Sequence, residues 1–319
     1  MTAATYPRLA FTAPERAELV IASRAPLGPE QVAGPTQVTL ISPGTELAWG
    51  YTAPEGFPVY PGYAAVFRVE EVGAEVTDLA AGDLALCMGN HAGWQQARRR
   101  DAVPLPAGLA PEAAACARLM GVSMSTLTTT AARPPEPVAI SGLGPVGHFA
   151  AQIFQAAGYE VLAVDPLPAR RADARAAGIR QVAEALPEEG NFTLVAECSG
   201  HEQAVLDACR CVRPGGEVVL IGVPWARQTD LMAFDLLHAV FHRYVHLRSG
   251  WEWEVPLHPE PFRRNSIFGQ LAGALRWLAE GRLNLEGLYA PHAPAAAQEV
   301  YQALLHRRNE RLLAMFDWR

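Results

Sequence analysis

Short apolar runs separated by proline and glycine fill the first 132 residues of the chain. Residues 37–41 (QVTLI), 65–72 (AVFRVEEV) and 84–87 (LALC) have the apolar, partly alternating character of strands. Turn residues recur between these runs at short intervals, as they do in a small β barrel or an irregular sandwich. The pattern therefore predicts a β domain over residues 1–132.

The pattern changes after the proline-rich stretch at residues 133–137 (RPPEP). Apolar strands then alternate with helices as far as about Gly250, which is typical of a parallel α/β sheet. A helix at residues 268–280 and a final strand–helix–strand pattern close the chain. We therefore predict a second, α/β domain over residues 133–256.

A glycine-rich turn follows the first buried strand of this second domain. The strand at residues 138–141 (VAIS) leads into residues 142–147 (GLGPVG), and a helix with one apolar face follows. A second strand at residues 161–164 ends at Asp165, 23 residues after Gly142. A GxGxxG alone is weak evidence. Here the strand, glycines, helix, second strand and acid occur in the order that dinucleotide binding needs.

Each residue of this turn has a physical role in that chemistry. Gly142 permits the tight turn, and Gly144 lets backbone N–H groups approach a pyrophosphate at the positive end of the helix. Gly147 lets the helix and the strand pack closely. Pro145 and Val146 begin the helix, and Val146 belongs to its apolar face.

Residues beyond the turn indicate which coenzyme is preferred. Asp165 can accept hydrogen bonds from both hydroxyls of a ribose and would repel a 2′-phosphate, which favours NAD. Arg170 could instead bind the phosphate of NADP, or it could cap or solvate the next helix, so NADP stays an alternative. Two later strands end near residues that are candidates to contact the nicotinamide, although they could also be plain loop residues: Ser199, Gly200, Gly222 and Val223.

Composition narrows the classes of partner. The net charge of −7 argues against electrostatic binding to nucleic acid or to an anionic membrane. No apolar run approaches the ~20 residues that span a bilayer, and the N-terminus lacks the pattern of a secretory signal. The five cysteines form no CxxC pair and suit a reducing cytoplasm. We expect a cytoplasmic protein that acts on a small molecule.

The chain contains no lysine, so all 26 of its Lys and Arg residues are arginine. Schiff-base chemistry, a P-loop lysine and a Tyr–Lys proton relay are therefore excluded.

These segments together resemble the medium-chain dehydrogenase/reductase superfamily along nearly the whole chain. The resemblance rests on residues 61–73 (PGYAAVFRVEEVG), the GLGPVG turn, residues 195–200 (VAECSG) and residues 212–222 (VRPGGEVVLIG). It implies a GroES-like β domain over residues 1–132, and a Rossmann domain with a doubly wound parallel sheet over residues 133–256. It also implies that residues 257–319 return to the first domain, that catalysis takes place between the domains, and that the protein is a homodimer.

Many members of that superfamily hold a catalytic zinc ion, but the residues that match the ligand positions differ here. Pro43 stands where the family has a cysteine, Tyr63 where it has a histidine, and Met120 where it has a Cys or Asp. Proline cannot bind zinc, and neither tyrosine nor methionine is a normal zinc donor. The four-cysteine structural lobe is also missing. The resemblance therefore implies a zinc-independent member with no metal site.

Without a metal, hydroxyl groups are the candidates to polarise a substrate carbonyl. Tyr63 and Thr45 can donate hydrogen bonds to an oxygen that becomes negative during hydride transfer, and the resemblance implies that Thr45 relays a proton. His91 is placed at the mouth of the site, where it could exchange a proton near neutral pH. Glu46 is the remaining candidate for a catalytic residue. The alternatives are that Tyr63 fills the space of the metal, that Glu46 is a structural hydrogen-bond acceptor and that His91 faces solvent.

The sequence therefore predicts an oxidoreductase that transfers a hydride between a nicotinamide coenzyme and a carbonyl or conjugated carbonyl. Alcohol/ketone, quinone and enone substrates all remain open, and the last two need less polarisation because their charge is delocalised. A coenzyme-binding protein without turnover, acting as a redox sensor or binding a partner, is the alternative from another class. Residues 43–46 (PGTE) and the PGY corner also resemble bacteriochlorophyllide dehydrogenases, but the glutamate that follows the tyrosine there is absent.

Overall fold

The computed structural model describes residues 4–263 and 265–319. These residues form two compact units. Unit 1 contains the residues up to Arg118 together with residues 271–280 and 287–319, and unit 2 contains residues 119–270 and 281–286. No helix within the described ranges has both the length and the apolar character that a bilayer crossing requires.

The elements follow one another along the chain as below. The strands are β1 (Thr5–Ala13), β2 (Arg16–Ser23), β3 (Gln31–Leu40), β4 (Ala65–Arg68), β5 (Glu71–Val72), β6 (Leu84–Cys87), β7 (Trp94–Arg98), β8 (Ala102–Pro104), β9 (Pro137–Ser141), β10 (Glu160–Val164), β11 (Gln181–Ala183), β12 (Phe192–Glu197), β13 (Val212–Leu220), β14 (His246–Ser249), β15 (Tyr289–His292) and β16 (Leu313–Asp317). The helices are α1 (Pro43–Glu46), α2 (Pro111–Thr129), α3 (Pro145–Ala156), α4 (Pro168–Ala176), α5 (Glu202–Cys211), α6 (Ala233–Arg243), α7 (Ile267–Ala279) and α8 (Ala297–Leu305).

Unit 1 is built around the long strand β3. The main sheet has the order β15-β16-β3-β4-β6-β8, and β5 and β7 also pair with β3. One core cluster packs around Phe11, Tyr51, Tyr301 and Phe316, and a second packs around Phe67. The β1–β2 hairpin forms a separate two-stranded sheet. The β-rich first part that the turn pattern predicted is present.

Unit 2 contains a six-stranded parallel sheet with the order β11-β10-β9-β12-β13-β14. Alternate residues of β9 enter different cores: Val138 and Ile140 pack with α3 residues, and Ala139 packs with α5 residues. Helices therefore cover both faces, as in a doubly wound fold. The strand order reverses between β9 and β12, and in such sheets the carboxyl ends of the strands at this reversal line the ligand crevice.

Candidate active site

The turn after β9 leaves no room for side chains at two of its glycines. Gly142 has φ of +88°, which favours glycine, and an added Cβ would lie 2.9 Å from the backbone nitrogen of Ser199. A Cβ on Gly147 would lie 1.8 Å from the carbonyl oxygen of Gly142. The helix α3 therefore starts in direct backbone contact with the turn, as a dinucleotide site requires.

The remaining glycine of the turn faces open space. Gly144 caps the N-terminus of α3, and among the described residues other than its chain neighbours, only the Arg170 guanidinium comes within 4 Å of a Cβ added there, at 3.9 Å. Pro145 occupies the first turn of the helix, where its missing N–H costs nothing. Val146 packs partly buried against the core. The helix end and a guanidinium, both positive, face one open cradle, so these residues fit a pyrophosphate.

Asp165, at the end of β10, holds the turn together. Its side chain is only 2% exposed. One carboxylate oxygen accepts a hydrogen bond from the Leu143 N–H at 2.8 Å and lies 3.2 Å from the Arg170 guanidinium. The other oxygen accepts from the Leu167 N–H at 2.8 Å. A ribose hydroxyl therefore reaches Asp165 only if the Arg170 side chain moves aside.

The two neighbouring arginines differ in position. Arg171 donates to the carbonyl oxygens of Asp165 and Pro166 at 2.7 and 2.8 Å, so it caps this loop. Arg170 is the one that faces Gly144, and about a third of its side chain is exposed (35%). Of the two residues, Arg170 is thus the one able to contact a coenzyme phosphate.

The ends of β12 and β13 bring the four nicotinamide candidates together. A Cβ on Gly200 would lie 2.5 Å from the carbonyl oxygen of Val223, and one on Gly222 would lie 2.3 Å from the nitrogen of Gly200. Ser199 lies against Gly142 on the other side. These residues form one continuous backbone surface at the reversal of the strand order, and Val223 is 44% exposed there.

A residue that the sequence reasoning missed anchors this surface. Glu197 is fully buried, and its carboxylate accepts hydrogen bonds from the Ser199 N–H at 2.7 Å, the Ser199 hydroxyl and the Gly200 N–H at 2.9 Å. Burial raises the pKa of this carboxyl, and the hydrogen bonds from Ser199 and Gly200 act in the opposite direction. The sequence signal for this role is the glutamate that ends an otherwise apolar strand, at residues 195–197 (VAE).

In unit 1, a glycine corner sets the position of Tyr63. Gly62 has φ of +98°, and a Cβ there would lie 2.5 Å from the backbone nitrogen of His91. The His91 N–H donates to the Pro61 carbonyl at 2.9 Å. This hydrogen bond holds the Pro61–Gly62 corner against the segment that carries His91, and only glycine fits at position 62.

Tyr63 lies among hydroxyl groups and one buried cation. Its phenol donates a hydrogen bond to the Ser42 hydroxyl, and the Arg118 guanidinium lies over its ring, 4.7 Å from the centroid. Burial raises the pKa of Tyr63, while Ser42, Arg118 and a hydrogen bond with Thr45 lower it and Glu46 raises it. The predicted pair Tyr63 and Thr45 is therefore brought together. Ser42 and Arg118 were not anticipated, although Arg118 stands out as a lone charge in the apolar run 113–120 (AAACARLM).

The position expected for His91 is wrong. His91 is fully buried, with its Nδ1 2.7 Å from the Thr39 hydroxyl and its Nε2 3.0 Å from the Glu46 carboxylate. Glu46 is 2% exposed and also accepts hydrogen bonds from the Ser42 N–H at 2.7 Å and from the Tyr301 hydroxyl. Both residues therefore belong to a buried hydrogen-bond network. The sequence does not reveal this network, because its members come from segments that lie far apart along the chain.

The residues at the three zinc-ligand positions do not fit a zinc ion. Pro43 begins α1 and has no donor atom in its side chain. The Tyr63 oxygen is engaged with Ser42, and Met120 is a fully buried thioether. Zinc in proteins takes Cys, His and carboxylate ligands, and none stands at these positions.

Part of the chain is similar in sequence to known dehydrogenases. The family described as zinc-binding dehydrogenase matches residues 145–249. An alcohol dehydrogenase from Geobacillus stearothermophilus is 28% identical over 208 residues, which cover 52% of this chain and 62% of that protein. The matches with it and with three further curated relatives span 38–66% of their lengths, less than two thirds in each case.

Solved structures share the fold over almost the whole chain. Galactitol-1-phosphate dehydrogenase from Escherichia coli superposes with a TM-score of 0.81 at 16% identity, covering 98% of this chain and 99% of that one. A quinone oxidoreductase from Pseudomonas syringae pv. tomato superposes with a TM-score of 0.78 at 19% identity, with the same coverage. The expected α/β fold class, a GroES-like domain plus a Rossmann domain, is confirmed. Residues 145–249 thus resemble the zinc-binding dehydrogenase family, and the chain as a whole shares the fold of these dehydrogenase and reductase structures.

Proposed function

We propose that this protein is an oxidoreductase that uses NAD(H) or NADP(H) to interconvert a carbonyl or conjugated carbonyl compound and its reduced form. One observation carries the proposal: the turn at residues 142–147 is packed too tightly for side chains at Gly142 and Gly147, yet is open at Gly144. That combination serves close approach of backbone N–H groups to a pyrophosphate. The alcohol dehydrogenase relative supports the reaction class.

The chain's own residues supply the coenzyme contacts in this proposal. The N-terminus of α3 and Arg170 hold the phosphates, and Asp165 accepts hydrogen bonds from the ribose once Arg170 swings away from it. The surface formed by Ser199, Gly200, Gly222 and Val223 supports the nicotinamide ring. We propose that NAD is preferred, because the Asp165 carboxylate disfavours a 2′-phosphate. NADP stays the alternative through Arg170.

We also propose that the reaction proceeds without zinc. The support is the donor chemistry at Pro43, Tyr63 and Met120, which is unsuitable for zinc. Tyr63 then takes the role of electrophile: its phenol leaves the Ser42 hydroxyl and donates a hydrogen bond to the substrate oxygen, where negative charge develops. Thr45, which lies near enough to Tyr63 to lower the pKa of its phenol, assists as a second hydroxyl. Glu46 and His91 act through the buried network that fixes α1.

A second copy of the chain is the proposed macromolecular partner. Strand β14 is the last strand of the parallel sheet. The helix α6 exposes Phe234, Leu237 and Phe241 by 66–76%, spaced three and four residues apart, and Tyr244, directly after the end of the helix, is 77% exposed. Exposed apolar stripes of this kind favour association. The proposed location remains the cytoplasm, and neither nucleic acid nor membrane is a proposed partner.

Oxidation of NADH and NADPH with a panel of aldehydes, ketones, quinones and enones tests the function directly. Each assay is run as purified, after chelation and after addition of zinc. The proposal requires turnover that neither treatment changes. Turnover that is lost on chelation and restored by zinc contradicts the metal-free mechanism.

A matched pair of variants tests the coenzyme site. Gly144→Asp introduces a carboxylate into the open cradle and should abolish the fluorescence enhancement of NADH. Gly273→Asp is the control, since an added side chain there meets only the Arg276 guanidinium at 3.9 Å, as at Gly144. It should bind NADH normally. NADH binding that persists in Gly144→Asp would place the coenzyme elsewhere, whereas binding without turnover on any acceptor would favour the redox-sensor alternative.

A further inference from the structure

Arg118 is a buried cation that the proposed mechanism has not yet used. It lies in α2 and is 2% exposed. Its guanidinium carbon lies 4.7 Å from the centroid of the Tyr63 ring. Arginine is seldom buried to this extent, and a cation over an aromatic face is attracted to the electrons of the ring. The side chain therefore places a positive charge directly beside the candidate acid.

The groups around Tyr63 can be named from each packed segment. Ser42 accepts the phenol hydrogen bond, and Thr45 contributes a second hydroxyl. Glu46 is the negative group that acts on the phenol, and Arg118 is the positive one. Burial is the main influence and raises the pKa of Tyr63, and the hydrogen bond with Ser42 and the Arg118 charge are the main influences that lower it.

We propose, resting on the proposed function, that Arg118 is a positioning residue for Tyr63, which orients the ring and stabilises the negative charge left when the phenol gives up its proton. A bound reduced nicotinamide would supply a hydride to the carbonyl carbon, and the carbonyl oxygen would become negative as the π electrons move onto it. That oxygen takes the Tyr63 proton, and Tyr63 becomes a phenolate beside the guanidinium. A proton from solvent restores the phenol. Atoms and charge balance without a metal ion.

Arg118 is suited to stabilising a Tyr63 phenolate because water screens the charge of its buried guanidinium only weakly. At 2% exposure the Arg118 charge acts across a poorly hydrated space, where electrostatic effects are stronger than at the surface. A phenolate ring is more electron-rich than a phenol, so the guanidinium favours the ionised form over the neutral one. Better stabilisation of the conjugate base makes Tyr63 a stronger acid at neutral pH.

The test places 3,5-difluorotyrosine at position 63, since fluorine brings ionisation closer to neutral pH and ¹⁹F NMR reports this residue alone. The titration midpoint is compared for Arg118, Arg118→Lys, Arg118→Met and Arg118→Gln proteins. Loss of the charge in the Met and Gln variants should raise the midpoint by about one pH unit or more. The Lys variant should keep most of the effect. Two neutral variants are made because either alone can fail to fold, which circular dichroism checks.

Arg8→Met is the matched control. The Arg8 guanidinium lies 3.5 Å from the centroid of the Tyr60 ring, so this substitution removes another cation–aromatic pair near the same corner. The Tyr63 midpoint should not change in it. Equal midpoints in the parent, Met and Gln proteins would overturn the proposal.

Steady-state kinetics with natural Tyr63 separates this inference from the function on which it rests. Arg118→Met should lower kcat by about tenfold with little change in KM, and Arg118→Lys should recover part of the loss. An unchanged kcat overturns the positioning role. The NMR titration needs no substrate, so absence of turnover with every acceptor would count against the proposed function, while a shifted midpoint would still establish the coupling of the two residues.

Discussion

Replacing His148 with leucine is expected to remove much of the acid sensitivity of unit 2. His148 lies in α3 directly after the glycine turn and is fully buried. Within the described part of the chain, neither of its ring nitrogens has a hydrogen-bond partner. Burial lowers the pKa of this histidine from 6.5 to about 4, because a charged imidazolium cannot be solvated there.

The size of the effect follows from these two pKa values. Between pH 6.5 and 4 the unfolded chain binds a proton at this residue and the folded chain does not, so the free energy of unfolding falls as pH falls. The loss relative to pH 8 is about 2 kcal/mol at pH 5 and about 3 kcal/mol at pH 4. Leucine has nothing to protonate, so the His148→Leu protein should lack this part of the pH dependence.

Urea unfolding at pH 8, 7, 6, 5 and 4, followed by tryptophan fluorescence and circular dichroism, measures the difference. The stability of His148→Leu relative to the parent should rise by about 2 kcal/mol between pH 8 and pH 5. His306→Leu, which replaces an exposed histidine after α8, is the control and should follow the parent. A constant difference between His148→Leu and the parent across this pH range would refute the reasoning, since it would mean that His148 binds a proton equally readily in the folded and the unfolded chain.

Three further substitutions test other parts of the site. Gly147→Ala forces a Cβ to within 1.8 Å of the Gly142 carbonyl oxygen and should cost at least about 3 kcal/mol in urea unfolding, whereas parent-like stability would show that the turn adapts. Tyr63→Phe should lower kcat at least about tenfold while NADH fluorescence enhancement is retained, and unchanged turnover would remove Tyr63 from the mechanism. Arg170→Ala should weaken the binding of both NADH and NADPH about tenfold or more in calorimetry, because the pyrophosphate that Arg170 is proposed to hold is common to the two, and weakening of NADPH binding alone would show that Arg170 contacts the 2′-phosphate instead.

Local patterns were sufficient for much of the fold. The strands predicted at residues 84–87 and 161–164 are present as β6 and β10, and the glycine turn lies between strand and helix as its spacing indicated. The run at residues 65–72 is less regular than predicted: it is interrupted after Arg68, since Val69 bonds to Asp83 and Glu70 to Ala33. A strand's existence is encoded locally, but its ends depend on partners that lie elsewhere.

In the candidate site, too, some features could be predicted from the local sequence and others depend on distant segments. Gly142 and Gly147 of the proposed coenzyme site are recognisable because each meets a local steric requirement. The burial of His91 is not recognisable, because its partners Thr39 and Glu46 are 52 and 45 residues away along the chain. The contact of Arg118 with Tyr63 likewise joins segments whose meeting no periodicity indicates.

The location of β16 and α8 in unit 1 has a consequence for the order in which the chain acquires structure during synthesis. Strand β3 pairs with β16, and the Tyr301 hydroxyl donates a hydrogen bond to Glu46. The strand β3 and Glu46 are synthesised early, so they lack these partners until β16 and Tyr301 have emerged from the ribosome. The core of unit 2 uses residues 132–247 and is free to close earlier. Nascent chains halted before residue 290 should therefore leave the apolar face of β3 accessible to chaperones while unit 2 is already protease-resistant.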